Sequence, residues 1–195
     1  MTDAKIRIQI RERFAQIARS PGTERVFPVG PTSAKNLGYG AGEIDALPAE
    51  VTASFSGVGN PLALGELAAG QTVLDLGCGA GLDSILAARR VGPSGKVIGV
   101  DMIEDMLDKA RSNAGAVGIS NIEWHLADAE DLPLADDTVD VVIANGVLNL
   151  CPDKPKVLAE LHRVLRPGGR LQMADVVLHE DVTAEEVAKL GTWSD

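Results

Sequence analysis

Along the first twenty residues, Ile6, Ile10, Phe14, Ile17 and Ala18 recur at helical spacing between Lys5, Arg7, Arg11, Glu12 and Arg13. That spacing predicts an amphipathic N-terminal helix. The pattern then dissolves. Residues 21 to 59 are rich in Gly, Pro and Ser and are expected to wrap the rest of the chain or to act as a lid. Asn60-Pro61 is expected to open a short helix through Ala69, with Asn as N-cap and Pro at the first helical position. From Thr72 onward the chain becomes regular. Runs of Val, Ile and Leu predict strands at Thr72 to Leu76, Lys96 to Val100, Ile122 to Leu126, Val139 to Ala144 and Arg170 to Val176. Between them, 3.6-residue spacing predicts helices at Gly81 to Val91, Glu104 to Val117 and Asp153 to Leu165, the last stopped by Pro167-Gly168-Gly169.

Strands alternating with helices imply right-handed crossovers and a sheet covered on both faces. The expected fold is therefore α/β: a doubly wound, mostly parallel, Rossmann-like sheet at residues 60–195, preceded by a helical and lid segment at residues 1–59. With 195 residues, 45% of them hydrophobic, the chain can bury one core of ordinary size. One ligand site is expected.

In an open parallel sheet that site lies beyond the carboxyl ends of the strands, where the strand order reverses. The candidate residues stand at such ends. Asp75-Leu76-Gly77-Cys78-Gly79-Ala80-Gly81 is a strand followed by a glycine loop and a helix. Glycines allow close backbone approach, and the helix start offers free N–H groups to a polar ligand tail. The same glycines would also serve a plain tight turn. The spacing G-x-G-x-G does not meet the G-x-G-x-x-G dinucleotide pattern, which disfavours a nicotinamide cofactor. Asp101 ends the next strand, where a carboxylate can accept from both hydroxyls of a ribose or simply favour a helix N-terminus. Asp128, within Asp128-Ala129-Glu130-Asp131-Leu132-Pro133, can accept from an adenine amino group or belong to a solvated acidic run. Asn145, at the tip of the fourth strand, can orient a ligand or cap loose backbone groups.

Charge narrows the partners. A net charge of -10 opposes attraction to phosphate backbones and anionic membranes, so neither nucleic acid nor a membrane is an expected partner. The absence of a leader pattern and of a bilayer-length apolar run leads to the expectation of a soluble, cytoplasmic protein. The two cysteines, Cys78 and Cys151, are expected to be free thiols. No metal cluster is expected, and nothing in the pattern bears on oligomeric state.

Taken in order, the glycine loop, Asp101, Asp128 to Pro133 and Leu165-Arg166-Pro167-Gly168-Gly169 resemble a class I S-adenosylmethionine-dependent methyltransferase. Asn36-Leu37-Gly38-Tyr39, Gly57-Val58-Gly59-Asn60-Pro61, Gly99-Val100-Asp101-Met102 and the segment from Asn145 to Lys154 are similar to arsenite methyltransferases. The resemblance implies S-adenosylmethionine as cofactor and methyl transfer to a small-molecule acceptor. It also implies roles. Asp75 supports the loop, in which Cys78 lies, and Gly77, Gly79 and Gly81 line the methionine end. Asp101 holds the ribose, Met102 packs on adenine, and Asp128 with Ala129 reads the adenine edge.

The family's arsenic-binding thiols do not carry over. Val58 and Gly146 stand where its pattern has cysteine, the cysteine pair after its first helix has no counterpart, and the sequence stops before its usual last two strands. A soft metalloid needs thiolates. Arsenite chemistry would then have to use Cys151. His125, His162 and His179 occupy no evident strand end, so no catalytic base is assigned. The rival from another class is a protein that binds S-adenosylmethionine without turnover.

Overall fold

The structure is a computed structural model that describes residues 2–24 and 27–177. Helix α1 spans Asp3–Arg19 and buries Ile6, Ile10, Ala15, Ile17 and Ala18, the stripe read from the sequence. Burying an isoleucine side chain contributes about 1.5–3 kcal/mol, which sets the face that turns inward. Residues 21–24 and 27–59 are more ordered than their composition suggests. They form a 3-10 turn at Pro21–Thr23 and three short helices: α2 (Pro31–Asn36), α3 (Ala41–Asp45) and α4 (Ala49–Ala53). Each is too short for a periodic signal, yet Ala34, Tyr39, Ile44, Val51 and Phe55 join one core with Val73 and Ile85. That core crosses residue 59 without a break.

The helix expected from Asn60 to Ala69 is only a 3-10 turn at Pro61–Ala63. Asn60 makes no capping bond; its Nδ2 donates instead to the Gly38 carbonyl at 3.0 Å. Gly65 follows and interrupts any helical run.

Five parallel strands make the sheet: β1 (Thr72–Leu76), β2 (Lys96–Asp101), β3 (Ile122–Leu126), β4 (Val139–Asn145) and β5 (Leu165–Ala174), in the order β3-β2-β1-β4-β5. Helices α5 (Leu82–Val91), α6 (Glu104–Ala116) and α7 (Lys154–Val164) fill three of the four crossovers, and a loop joins β3 to β4. Val73, Val97, Val141 and Ile143 face α5 on one side of the sheet. Leu74, Ile98, Val142 and Ala144 face Val157, Leu161 and Val164 of α7 on the other. Both faces are therefore apolar, as a doubly covered parallel sheet requires.

The last strand starts five residues earlier than the sequence suggests. Pro167 disfavours a helical conformation at Arg166, so α7 ends at Val164 and the chain extends from Leu165. Arg166 to Gly169 are accommodated as a bulge, with Val139 opposite Leu165 and Val141 opposite Arg170. Order reverses between β1 and β4, where Asp75 pairs with Ile143 and Leu76 with Ala144. The crevice opens at that point.

Candidate functional site

The glycine loop leaves β1 beside the crevice. Gly77, Gly79 and Gly81 have φ of +64°, +52° and +86°, a region that L side chains rarely adopt. Their surroundings differ. A Cβ on Gly77 would collide with Val147, and one on Gly81 would stand 3.0 Å from both Ala110 Cβ and the Trp124 ring. A Cβ on Gly79 would meet nothing nearer than Met106 Sδ at 4.0 Å. Gly81 thus serves close packing of α5 against α6 and β3, whereas Gly79 leaves open space beside the crevice.

Asp101 ends β2 and is buried. Its Oδ2 accepts from Gly79 N–H at 2.8 Å and its Oδ1 from Ile103 N–H at 3.0 Å. The carboxylate therefore joins the loop to the start of α6. Burial pushes its pKa up to about 6, against the lowering effect of the N–H groups of Gly79, Ile103 and Met102.

Asp75, on β1, is buried and accepts from Ser84 Oγ of α5 at 2.5 Å. Asp83 lies in the first turn of α5 and accepts from Tyr39 Oη at 2.6 Å. Burial raises both carboxyls above the usual carboxylate range. Burial, followed by Asp83, also raises Tyr39 above an ordinary phenol.

Asn145 closes this group. Its Oδ1 accepts from the N–H groups of Val58 (2.8 Å) and Gly59 (3.1 Å). Its Nδ2 donates to the Gly59 carbonyl (2.9 Å), Asp83 Oδ2 (3.1 Å) and Tyr39 Oη (3.1 Å). The amide ties the tip of β4 to the segment entering the domain.

Asp128 follows β3. Its Oδ1 accepts from Glu130 N–H at 3.0 Å, and its Oδ2 pairs with Arg7 of α1, which also reaches Glu130 at 2.7 Å. Further along this acidic run, Asp136 pairs with Arg163, which also holds Glu160 and the carbonyls of Leu132 and Leu134. Arg163 lowers the Glu160 carboxyl to about 2.

One cavity gathers Gly77, Gly79, Asp101, Met102, Asp128, Ala129 and Asn145. Asp75, Cys78 and Gly81 stand behind it; the first two line a smaller recess under the loop, with Asp83 and Asn145. The cavity also takes Arg7, Ile10 and Phe14 from α1, and only Ser56 from residues 21 to 59. These α1 residues were missed in the sequence. Their spacing of three and four was visible, but it reads equally as core packing.

Both cysteines are free. Burial raises Cys78 above an ordinary thiol, and burial with Asp128 and Glu130 nearby pushes Cys151 up to about 12. Cys151 donates toward the Val147 carbonyl at 3.4 Å. Positions 58 and 146 come together: a Cβ on Gly146 would lie 3.2 Å from Val58 Cγ1. His125 and His162 line neither this cavity nor the recess, and His179 lies outside the described residues. Among the described residues there is no cluster of three or more potential metal ligands, and no helix long and apolar enough to cross a membrane.

Known proteins share this arrangement. An arsenite methyltransferase from Halobacterium salinarum is 43% identical over 186 residues, covering 88% of this chain and 47% of its own length. A ubiquinone/menaquinone biosynthesis C-methyltransferase from Escherichia coli is 44% identical over 103 residues, covering 52% of this chain and 41% of its own. This chain spans under half the length of these two relatives. Among solved structures, an arsenic (III) S-adenosylmethionine methyltransferase from Chlamydomonas reinhardtii superposes with a TM-score of 0.60 at 41% identity, over 67% of this chain and 46% of that one. A SAM-dependent methyltransferase from Aquifex aeolicus gives 0.56 at 30% identity, over 65% and 71%. The methyltransferase domain family matches residues 67–194, and the chain belongs to that family.

Proposed function

We propose that the protein binds S-adenosylmethionine in the cavity at the β1/β4 switch point and transfers its methyl group to a small-molecule acceptor other than arsenite. The observation that carries this reading is the Gly79–Asp101 pair. A bare, left-handed backbone position and a buried carboxylate, joined by a hydrogen bond, face one cavity and fit the two ends of a nucleoside joined to an amino acid.

Asp101 would accept from the ribose hydroxyls with the lone pairs left by its two backbone donors. Met102, and Asp128 with Ala129, would hold the base. The carboxyl oxygens of Asp75 and Asp83 give the recess under the loop hydrogen-bond acceptors for an ammonium donor. When bound, the donor supplies an activated methyl group. The chain's part is to align the acceptor and exclude water. Ile10, Phe14, Val147 and Leu150 provide the apolar cover. No proton transfer is assigned to a side chain.

Relatives are named for arsenite and for ubiquinone/menaquinone biosynthesis, so membership alone leaves the acceptor open. Against arsenite stand Val58 packed toward Gly146, where the family's pattern has two cysteines, and a Cys151 thiol that stays protonated at neutral pH. Free thiols are consistent with a cytoplasmic location.

Thermal shifts with S-adenosylmethionine, S-adenosylhomocysteine, NAD and NADP test the cofactor. Only the first two are expected to raise the melting temperature, and a shift with NAD alone would overturn the reading. Incubation with arsenite, glutathione and S-adenosylmethionine is expected to give no methylated arsenical by mass spectrometry. Product that vanishes in Cys151→Ser would instead establish Cys151 as an arsenic ligand.

A further inference from the structure

A second chamber lies against the first. Phe14, Ser56, Gly146 and Leu150 line both, so these four residues form the wall between them. At Gly146 that wall is bare backbone with φ of +70°, and a side chain there would press on Val58. Gly146 lies at the tip of β4, so this part of the wall stands beside the crevice.

The second chamber is chemically unlike the first. Arg7, Asp101 and Asp128 bring charge to the donor cavity. No described residue that lines the second chamber carries a charge. Arg13 stacks on the Phe27 ring at 4.7 Å and pairs with Glu24, but does not line the chamber. Phe27, Leu37, Val58 and Val176 give apolar walls, and Ser33 and Asn149 are among the polar groups. Asn149 Oδ1 is buried without a hydrogen-bond partner, while its backbone N–H donates to Asp175 at 3.2 Å. A buried acceptor left unpaired costs free energy that a ligand donor can relieve.

We propose, on the methyltransferase reading above, that this second chamber is the acceptor subsite and selects an uncharged, largely apolar molecule with one N–H or O–H donor. Three features support it. The chamber shares a wall with the donor cavity. Its described lining offers no counter-charge, so a charged acceptor would be desolvated there without compensation. Its apolar surface includes Val58, which lies beside Gly146 in the shared wall.

Two dyes with one skeleton test this. N-phenyl-1-naphthylamine is neutral with one N–H donor; 1-anilinonaphthalene-8-sulfonate adds a sulfonate. Calorimetry first establishes S-adenosylhomocysteine binding. If that fails, the methyltransferase reading falls and the acceptor subsite with it, before any dye is added. With the donor cavity saturated, fluorescence titration is expected to show the neutral dye binding at one site about tenfold or more tighter than the sulfonate, the direction set by the cost of burying an unpaired charge. Val58→Lys should narrow or reverse that preference. If Val58→Lys no longer binds S-adenosylhomocysteine, Val176→Lys, at a half-exposed position of the same chamber, replaces it. Equal affinities for the two dyes, displacement of the neutral dye by S-adenosylhomocysteine, or a preference unchanged by lysine would each overturn the proposal.

Discussion

On the β1 and β2 side of the crevice, binding groups are fixed by backbone. Asp101 is held at both oxygens by N–H groups, and the loop before α5 is set by glycines with positive φ. All of it lies between residues 75 and 103, on two adjacent strands and the loops that follow them. The β4 side is assembled differently. Phe14, Ser56, Val58, Gly146 and Leu150 come from segments far apart in sequence, and the Asn145 amide ties the Val58 segment to the tip of β4. The first side presents charge at defined points, suited to a ligand that does not change. The second presents shape, which a few substitutions can alter without disturbing the first.

The largest effect that would test this contrast is expected from Asp101→Ala. Loss of a hydrogen bond to a charged group should weaken S-adenosylhomocysteine binding by about 1.5–3 kcal/mol, roughly ten- to a hundredfold in Kd by calorimetry. Unchanged affinity would remove the donor side's anchor. Asn145→Ala should act on stability instead. It leaves the N–H groups of Val58 and Gly59 without their acceptor and should cost about 1–3 kcal/mol in urea denaturation.

A smaller effect is expected from pH. The donor's ribose hydroxyls prefer an ionised Asp101, whose carboxyl sits at about 6 in the unliganded protein. Affinity should therefore be flat above that value and decline below it, by about tenfold between pH 7 and 5. The slope should disappear in Asp101→Asn, and a wild-type profile flat down to pH 5 would contradict the assignment. The smallest effect is expected from Arg7→Gln. Arg7 is partly exposed, so losing its pairs with Asp128 and Glu130 should cost under about 1 kcal/mol, less at high salt.

The same contrast explains what could be read from the sequence. Strand runs such as Val139 to Ala144 and the Asp75 to Gly81 loop are local, so their places along the chain followed from pattern alone. The last strand begins earlier than expected because Pro167 keeps Arg166 extended, and the bulge that follows depends on β4 opposite. Ordering of residues 31–53 was hidden because five- and six-residue helices carry no period; tertiary burial of Tyr39, Ile44 and Val51 holds them. Asp83 has no sequence signal of its own and was not singled out. Its partners, Tyr39 and Asn145, lie 44 and 62 residues away. Asn145 itself stood between two readings, and its contacts with Val58 and Gly59 match the backbone-capping one. The contact between Val58 and Gly146 had no local signature either, although each position was notable by itself.

The single amide of Asn145 also bears on folding. It bonds Val58 and Gly59, 87 and 86 residues away in sequence, as well as Tyr39 and Asp83. Closing loops of that length carries an entropic cost that must be met before the amide gains anything, so these bonds form late, after β1 and β4 are already side by side. The β4 edge of the crevice is then among the last parts of the molecule to assemble. Because one group serves four segments at once, they are released together when it lets go, and the N–H groups of Val58 and Gly59 become a natural clock for that event in hydrogen exchange.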